Sequence, residues 1–330
     1  MIDTSVIVIN WNGRQHLQAC LDALAAQQGV EFETLLVDNG STDGSVEFVG
    51  GRFPAVRVVA LSENHGFAGG NNAGAREARG RNLVFLNNDT VVEPGWLAAL
   101  RRAVDEPGFA LATSRVVYMH DPELIDSAGD GVLQWGGAFK RFHGTRAPEA
   151  ARSGEVFGVC GAACLVTKPV FDELGGFDEH FFVSHEDVDL SYRARLLGYR
   201  CYYTAAAVVR HHGSATLGRT SAFAVFHGQR NLEWLYLKNS PLSILLRSMP
   251  GHVLYTAAAA GYFTRMGLLG AFLRAKMAAV AGVPRVLRQR AVVQRSRRVG
   301  ADAIWPLLER RWLATKRGEK RFDAGLAGER

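Results

Sequence analysis

The sequence predicts an α/β fold with a mostly parallel central sheet flanked by helices. Three observations predict it. Short continuous apolar runs such as Ser5–Asn10 (SVIVIN) lack the alternation of a half-solvated strand and suit strands buried on both faces. Between these runs, apolar residues recur at helical spacing, as at Leu17, Cys20, Leu21 and Leu24. Strand and helix patterns then alternate through residues 1–120, the order that builds a parallel sheet covered by helices.

In chain order, Ser5–Asn10 is followed by a helix and then by a strand at Thr34–Asp38 (TLLVD). The turn Asn39–Ser45 holds Ser, Thr and Asp, residues that cap helices. A third strand, Val56–Leu61, leads into the glycine-dense Asn64–Gly74, and a fourth, Asn82–Asn87, precedes a helix opened at Pro94. Tyr118–Glu155, rich in glycine and aromatics, is expected as hairpins or long loops, and Val156–Val166 as a strand returning to the sheet. A helix capped by Ser184 runs to Leu197 and stops at Gly198, with a strand at Tyr199–Thr204 and strand-like Ala205–Val209 beyond. After Pro241 the chain turns to long Ala/Leu/Arg helical segments, which places a domain boundary near residue 240.

Length and composition set the outer limits. At roughly 100–200 residues per domain, 330 residues make one large or two modest domains. With 48% hydrophobic and 21% charged residues, disordered and fibrous classes are excluded. The 36 glycines follow no period. Cys20, Cys160, Cys164 and Cys201 form neither a disulfide framework nor a zinc motif and are expected as buried or half-buried thiols in a reducing cytosol. The opening MIDTSVIVINWNG has no basic region and long apolar core, so a structured start is expected. The net charge of +6 is uneven: residues 284–330 carry +8, the rest −2. The basicity belongs to the tail, which argues against nucleic acid as a partner of the whole chain.

Three strand ends finish in polar groups: Ile9-Asn10 with Asn12, Asp38-Asn39, and Asn87-Asn88-Asp89. Ligands of open parallel sheets bind outside the carboxyl ends of the strands, so these ends mark a crevice suited to a nucleobase or ribose. In Asn64–Gly74, Gly66 and Gly69 let backbone approach a diphosphate and Asn71 adds a polar group, although neither a Walker loop nor a GxGxxG turn is present. Asp89 offers one carboxylate to a divalent ion bridging phosphates. Glu186, Asp187 and Asp189 crowd the start of one helix, where 187 and 189 point about 200° apart. One would face a cleft as a general base while the other is solvated or pairs with Arg193. His211, ahead of His212, is expected as a metal or phosphate contact, with a structural histidine after the strand as the alternative.

Together these stretches resemble the family 2 glycosyltransferases of the GT-A fold, especially the rhamnosyltransferase-like branch. The resemblance lies in VIVINWNG (6–13), VDNGSTDGS (37–45), NHGFAGGNNAG (64–74), FLNNDT (85–90), CGAACLV (160–166), GGFDEHFF (175–182), HEDVDL (185–190) and HHGS (211–214), and covers roughly residues 4–240. It implies that Asp38 and Asn39 contact the base and ribose of a nucleoside diphosphate sugar, a dTDP- or UDP-sugar. Asn88-Asp89 stands at the family's metal-binding DXD, with one carboxylate instead of two, and implies Mg²⁺ or Mn²⁺. Asp187 stands at the catalytic base of an inverting transfer. Trp135, Gly161 and Glu186 are expected on the acceptor side. The expected organisation is a GT-A domain at 1–240 and a basic, amphipathic helical region at 241–330. The best match to the whole is transfer of L-rhamnose from dTDP-rhamnose to a glycan or polyprenyl-linked acceptor in envelope polysaccharide synthesis. A catalytically silent nucleotide-sugar-binding scaffold is the alternative. No apolar run reaches the roughly 18–20 residues that span a bilayer. Apolar helices bordered by Arg and Lys suit an anionic membrane surface, hence a cytoplasmic protein peripheral on the inner face. A helical subdomain or a homo-oligomer interface is the other use of these helices.

Overall fold

The computed structural model describes residues 2–146, 148–213 and 221–328. The first half reads β1 (Thr4–Asn10), α1 (Arg14–Ala25), β2 (Phe32–Asn39), α2 (Ser45–Arg52), β3 (Val56–Leu61), α3 (Gly66–Glu77), β4 (Asn82–Asn87), β5 (Thr90–Val92), α4 (Trp96–Ala103) and β6 (Phe109–Tyr118). Short strands β7 (Ile125–Ser127), β8 (Asp130–Val132), β9 (Ala138–Lys140) and β10 (Gly154–Val156) follow. Next come β11 (Ala163–Thr167), α5 (Lys168–Glu173), α6 (Glu186–Leu196) and β12 (Arg200–His211). The remainder is helical: α7 (Ala222–Asn239), α8 (Leu242–Arg265), α9 (Leu269–Ala281), α10 (Val283–Ser296), α11 (Ala301–Ile304) and α12 (Trp312–Gly328).

The main sheet runs β10-β12-β6-β11-β4-β1-β2-β3, with β5 on β12 and β7 on β6. β4, β1, β2 and β3 are mutually parallel, β12 is parallel to β6, and β11 lies antiparallel between β4 and β6. Alternation along each strand divides the core into two layers. Ile7, Val37 and Phe85 face Phe171 and Phe177. Val6, Val8, Leu36, Val84 and Leu86 face Leu17, Leu21 and Leu24 of α1 and Trp96, Leu97 and Leu100 of α4. Both faces are covered, which is why the strands read as unbroken apolar runs. A third apolar cluster joins Phe181, Val188 and Tyr192 to Leu232, Ile244, Val286 and Ile304, so the C-terminal helices share a core with the chain around α6.

Three local expectations are corrected. The strand expected at Val156–Val166 begins at Ala163, because Val159 and Cys160 turn in to bond the Ser191 and Thr113 hydroxyls. Tyr199–Thr204 and Ala205–Val209 are one strand, β12, whose register slips between Thr204 and Val208. Ser184 does not cap α6: it adopts φ 74°, the helix begins at Glu186, and His185 at its start has φ 71°.

Candidate active site

Strand register builds the first half of the site. Asn10 pairs with Asp38 across β1–β2, and Ile9 with Asn87 across β1–β4, which brings the three polar strand ends to one edge. Asn10 Nδ2 donates to Asp38 Oδ1 at 2.9 Å, and Asn88 Nδ2 donates to Asn10 Oδ1 at 2.6 Å. Asn12, at φ 50°, accepts from the Thr42 N–H, so the β1 and β2 loops are tied together. The Asn39 carboxamide is spent within the fold. It donates to Asn64 Oδ1 and the Gly66 carbonyl and accepts from the His65 N–H, which shapes the β3–α3 turn. Gly66 has φ 70° and a Cβ there would strike the Phe182 carbonyl, so this glycine serves packing. A Cβ on Gly69 would lie 2.8 Å from His65 Cβ, and the fully buried Asn71 bonds the Phe67 carbonyl.

Register also explains the second pairing. His211 of β12 sits opposite Thr90 of β5 and Tyr118 of β6, one residue from Asp89 along β5's approach. The register slip in β12 re-aims this strand end, as bulges do beside active sites. His211 Nε2 lies 3.2 Å from Asp89 Oδ1, and its Nδ1 lies 2.8 Å from Asp126 Oδ2. Burial opposes an imidazolium, yet hydrogen bonds to Asp126 and Asp89 raise His211 to about 9. Burial likewise opposes charge on Asp89, and His211 holds it below the usual carboxylate range. His16 and His212 pack beside them at a tilt with ring centroids 4.8 Å apart. An aspartate oxygen and, once the metal displaces the Nε2 proton, an imidazole nitrogen oriented by a second carboxylate fit a divalent transition ion such as Mn²⁺, which accepts both donor types. Ser214 of the HHGS segment lies outside the described residues.

The third part centres on α6. Gly161 N–H donates to Asp187 Oδ2 at 2.7 Å and Val188 N–H to Asp187 Oδ1 at 2.8 Å. Asp130 and Cys160 lie with Asp187 in one group whose ligand atoms are within 4.8 Å of one another. Burial raises all three carboxyls of this corner, Asp130, Glu186 and Asp187. Repulsion from Asp187 pushes Asp130 and Glu186 further up, while the two backbone N–H groups favour the charged form of Asp187. The two N–H groups thus favour the anion at Asp187, while repulsion disfavours it at Asp130 and Glu186. Environments that separate adjacent carboxyls in this way mark acid–base assignments.

The turn leading into α6 is strained. Phe182, Ser184 and His185 all have φ between 63° and 74°, at a cost of about 1–3 kcal/mol each. Asn231 of α7, fully buried, offsets it: its Nδ2 lies 2.9, 2.9 and 2.8 Å from the carbonyls of Phe181, Val183 and Ser184. Asp189 points the opposite way from Asp187 into a buried anchor, bonded to Arg193 at 2.8 Å, Lys238 at 2.7 Å and Asn239 at 2.7 Å. One carboxylate of the pair is thus freed for the cleft by committing the other to structure.

Lys140 links the halves. Its Nζ lies 3.0 Å from Asp126 Oδ1, and its charge acts on Asp130 and Asp187. Trp135 packs at a tilt against Trp312 with centroids 4.9 Å apart and accepts from His252 at its carbonyl. Sequence reading missed Asp126, Asp130, Lys140 and Asn231. The acids and the lysine sit in the segment expected as hairpins or long loops, where no single residue stands out, and Asn231 in an unremarkable helical stretch.

The model of "Glycosyl transferase family 2" matches residues 5–175. The chain belongs to glycosyltransferase family 2. It is 34% identical over 215 residues to the O-antigen biosynthesis protein RfbC of Myxococcus xanthus, a match covering 61% of this chain and 16% of that protein. It is 29% identical over 245 residues to the N-acetylglucosaminyl-diphospho-decaprenol L-rhamnosyltransferase of Mycobacterium tuberculosis, covering 66% of this chain and 78% of that one. In structure it resembles the Pyrobaculum calidifontis mannosyltransferase solved with GDP-Man and Mn²⁺, at 18% identity and a TM-score of 0.53 over 89% of this chain and 85% of that one. The glycosyltransferase thus has the GT-A fold, extended by helices α7–α12.

A pH test follows from the acid corner. A carboxyl with a folded pKa above its unfolded value binds its proton more tightly in the native state. The cost of burying it appears as pH rises above the unfolded value of about 3.9. Asp130→Asn is expected to raise Tm at pH 7.5 by a few °C on the order of 1 kcal/mol relieved, and the gain shrinks toward pH 4. A gain independent of pH in parallel melts of both proteins contradicts this reading.

Proposed function

We propose that this glycosyltransferase inverts the anomeric carbon of a nucleoside diphosphate sugar, with Asp187 as the base and Asp89 and His211 holding a divalent metal. The observation that carries the reading is the pair of N–H groups, from Gly161 and Val188, that hold the Asp187 carboxylate in a buried corner, with Lys140, Asp126 and His211 between it and Asp89. Asp187 takes the proton of an acceptor hydroxyl. The acceptor oxygen bonds the anomeric carbon from the face opposite the diphosphate, and the carbon–oxygen bond to phosphate breaks with its electron pair leaving on the nucleotide. A bound Mg²⁺ or Mn²⁺ supplies neutralisation of the charge that builds on that leaving group. Ile9, Asn10, Asn12, Asp38 and Asn88 line the strand ends where the nucleotide would lie, and Asn39, Gly66, Gly69 and Asn71 shape the turn behind it.

The named activities of relatives favour L-rhamnose as the sugar and a glycan or lipid-linked acceptor in envelope polysaccharide assembly, and dTDP-rhamnose is the donor of this reading. Turnover of dTDP-rhamnose followed by proton NMR tests this: the first product carries the opposite anomeric configuration, and retained configuration contradicts it.

Residues 1–240 would carry this chemistry and the helices beyond 240 would meet the membrane. Among the described residues no helix is long and apolar enough to cross one. The support is the exposed apolar side chains of α8 and α9, including Leu246, Val253 and Met277, on helices that also expose Arg247, Arg265 and Arg274. Flotation with anionic liposomes is expected, and protein left in the soluble fraction at low salt counts against it.

A further inference from the structure

Asp130, Cys160 and Asp187 come from separate segments: β8, the turn before β11, and the first turn of α6. Their ligand atoms nevertheless lie within 4.8 Å of one another. Asp130 is 6% exposed and Cys160 3% exposed. Asp130, Glu186 and Asp187 line a cavity of about 670 Å³, which gives an ion a way in. The geometry points to a second metal site here, distinct from Asp89 and His211, that takes a thiophilic ion such as Zn²⁺ and inhibits transfer by occupying Asp187. Binding at the site stands on these residues alone, and the inhibition rests on the reading of Asp187 as the base.

The donor set selects the ion. Mg²⁺ takes oxygen ligands and avoids sulfur, whereas Zn²⁺ is bound by thiolate and carboxylate together. Burial pushes the Cys160 thiol up, so only an ion that bonds sulfur strongly displaces its proton. A second, independent observation comes from Glu186. It is 5% exposed, and its Oε2 is buried without a hydrogen-bond partner among the described residues. It stands close enough to Asp130 and Asp187 for their charges to act on it. A buried polar atom left unmatched is costly. A cation among these groups gives Glu186 a partner, replaces their repulsion with attraction, and completes the four ligands that zinc prefers. Lys140, whose charge acts on Asp130, Cys160 and Asp187, offsets the excess of negative charge. With its carboxylate on the ion, Asp187 no longer takes the proton of an acceptor hydroxyl, while Asp89 and His211 stay free for the metal of the nucleotide.

Co²⁺ is the probe, because it replaces Zn²⁺ and a thiolate bonded to it absorbs in the near ultraviolet. Titrated into the full chain with its thiols reduced, Co²⁺ is expected to give that charge-transfer band, and added Zn²⁺ to abolish it. Cys160→Ser is expected to remove the band and Asp89→Ala to leave it intact. Asp130→Asn is expected to weaken Co²⁺ binding at least about tenfold, the lower end of what even outer-shell changes cost. Cooperative melting serves as the folding control for each variant. In transfer assays with excess Mn²⁺, Zn²⁺ is expected to stop turnover without displacing the nucleoside diphosphate. Cys160→Ser is expected to raise the inhibitory concentration at least about tenfold, read against its own zinc-free rate. A wild type without the band, a band that survives Cys160→Ser, or unchanged affinity in Asp130→Asn overturns the inference. A band lost in Asp89→Ala also overturns it, since the ion then sits at the other site. Full turnover with the site occupied overturns the inhibition where Asp187→Asn is inactive. Where Asp187→Asn turns over like the wild type, the assignment of the base fails instead and the zinc site stands.

Discussion

Asp187→Asn is expected to lower sugar transfer by about 10²–10⁴-fold, the usual contribution of a positioned base, with nucleotide affinity unchanged. The substitution keeps size and the hydrogen-bond acceptor that receives the Gly161 N–H at 2.7 Å. What it removes is the capacity to take the acceptor's proton. Asp189 cannot substitute, because its carboxylate is committed to Arg193 and Lys238 on the far side of α6. Asp130 and Glu186 do not replace it, since burial and the repulsion of a neighbouring carboxylate disfavour their charged forms. Single-turnover rates and calorimetric nucleotide affinity measured together separate this from misfolding. Turnover near that of the wild type removes Asp187 from the mechanism.

Asp89→Ala should act on a different quantity. It deletes the carboxylate of the proposed metal pair, whose loss is expected to weaken nucleoside diphosphate binding at least about 100-fold, the upper end of what even outer-shell changes cost. His211 stays oriented by Asp126 at 2.8 Å, so the surrounding fold retains its support. The loss should appear only with Mg²⁺ or Mn²⁺ present and vanish with chelator. An unchanged dissociation constant in metal would contradict the assignment.

The parallel half of the sheet was legible because its strands are buried on both faces and bounded by turn residues, and Val56–Leu61 and Asn82–Asn87 match β3 and β4 residue for residue. The site was legible where chemistry sits at strand ends or helix starts, as at Asp38, Asp89 and Asp187. It was not legible where distant segments meet. Asp126 reaches His211 only through the pairing of β7 with β6 and of β6 with β12. Asn231 holds the strained turn at Phe182–His185 from 46 or more positions away along the chain. Ser184 reads as a cap from local pattern alone, and the left-handed backbone that α7 enforces there overrides it.

The central claim is a metal-dependent nucleotide site at the strand ends, and calorimetric titration of the wild-type chain with dTDP, UDP and GDP, each with and without Mn²⁺, tests it most directly. The account predicts tight binding of one nucleoside diphosphate that requires the metal. Equal affinity for that nucleotide with and without metal would contradict it.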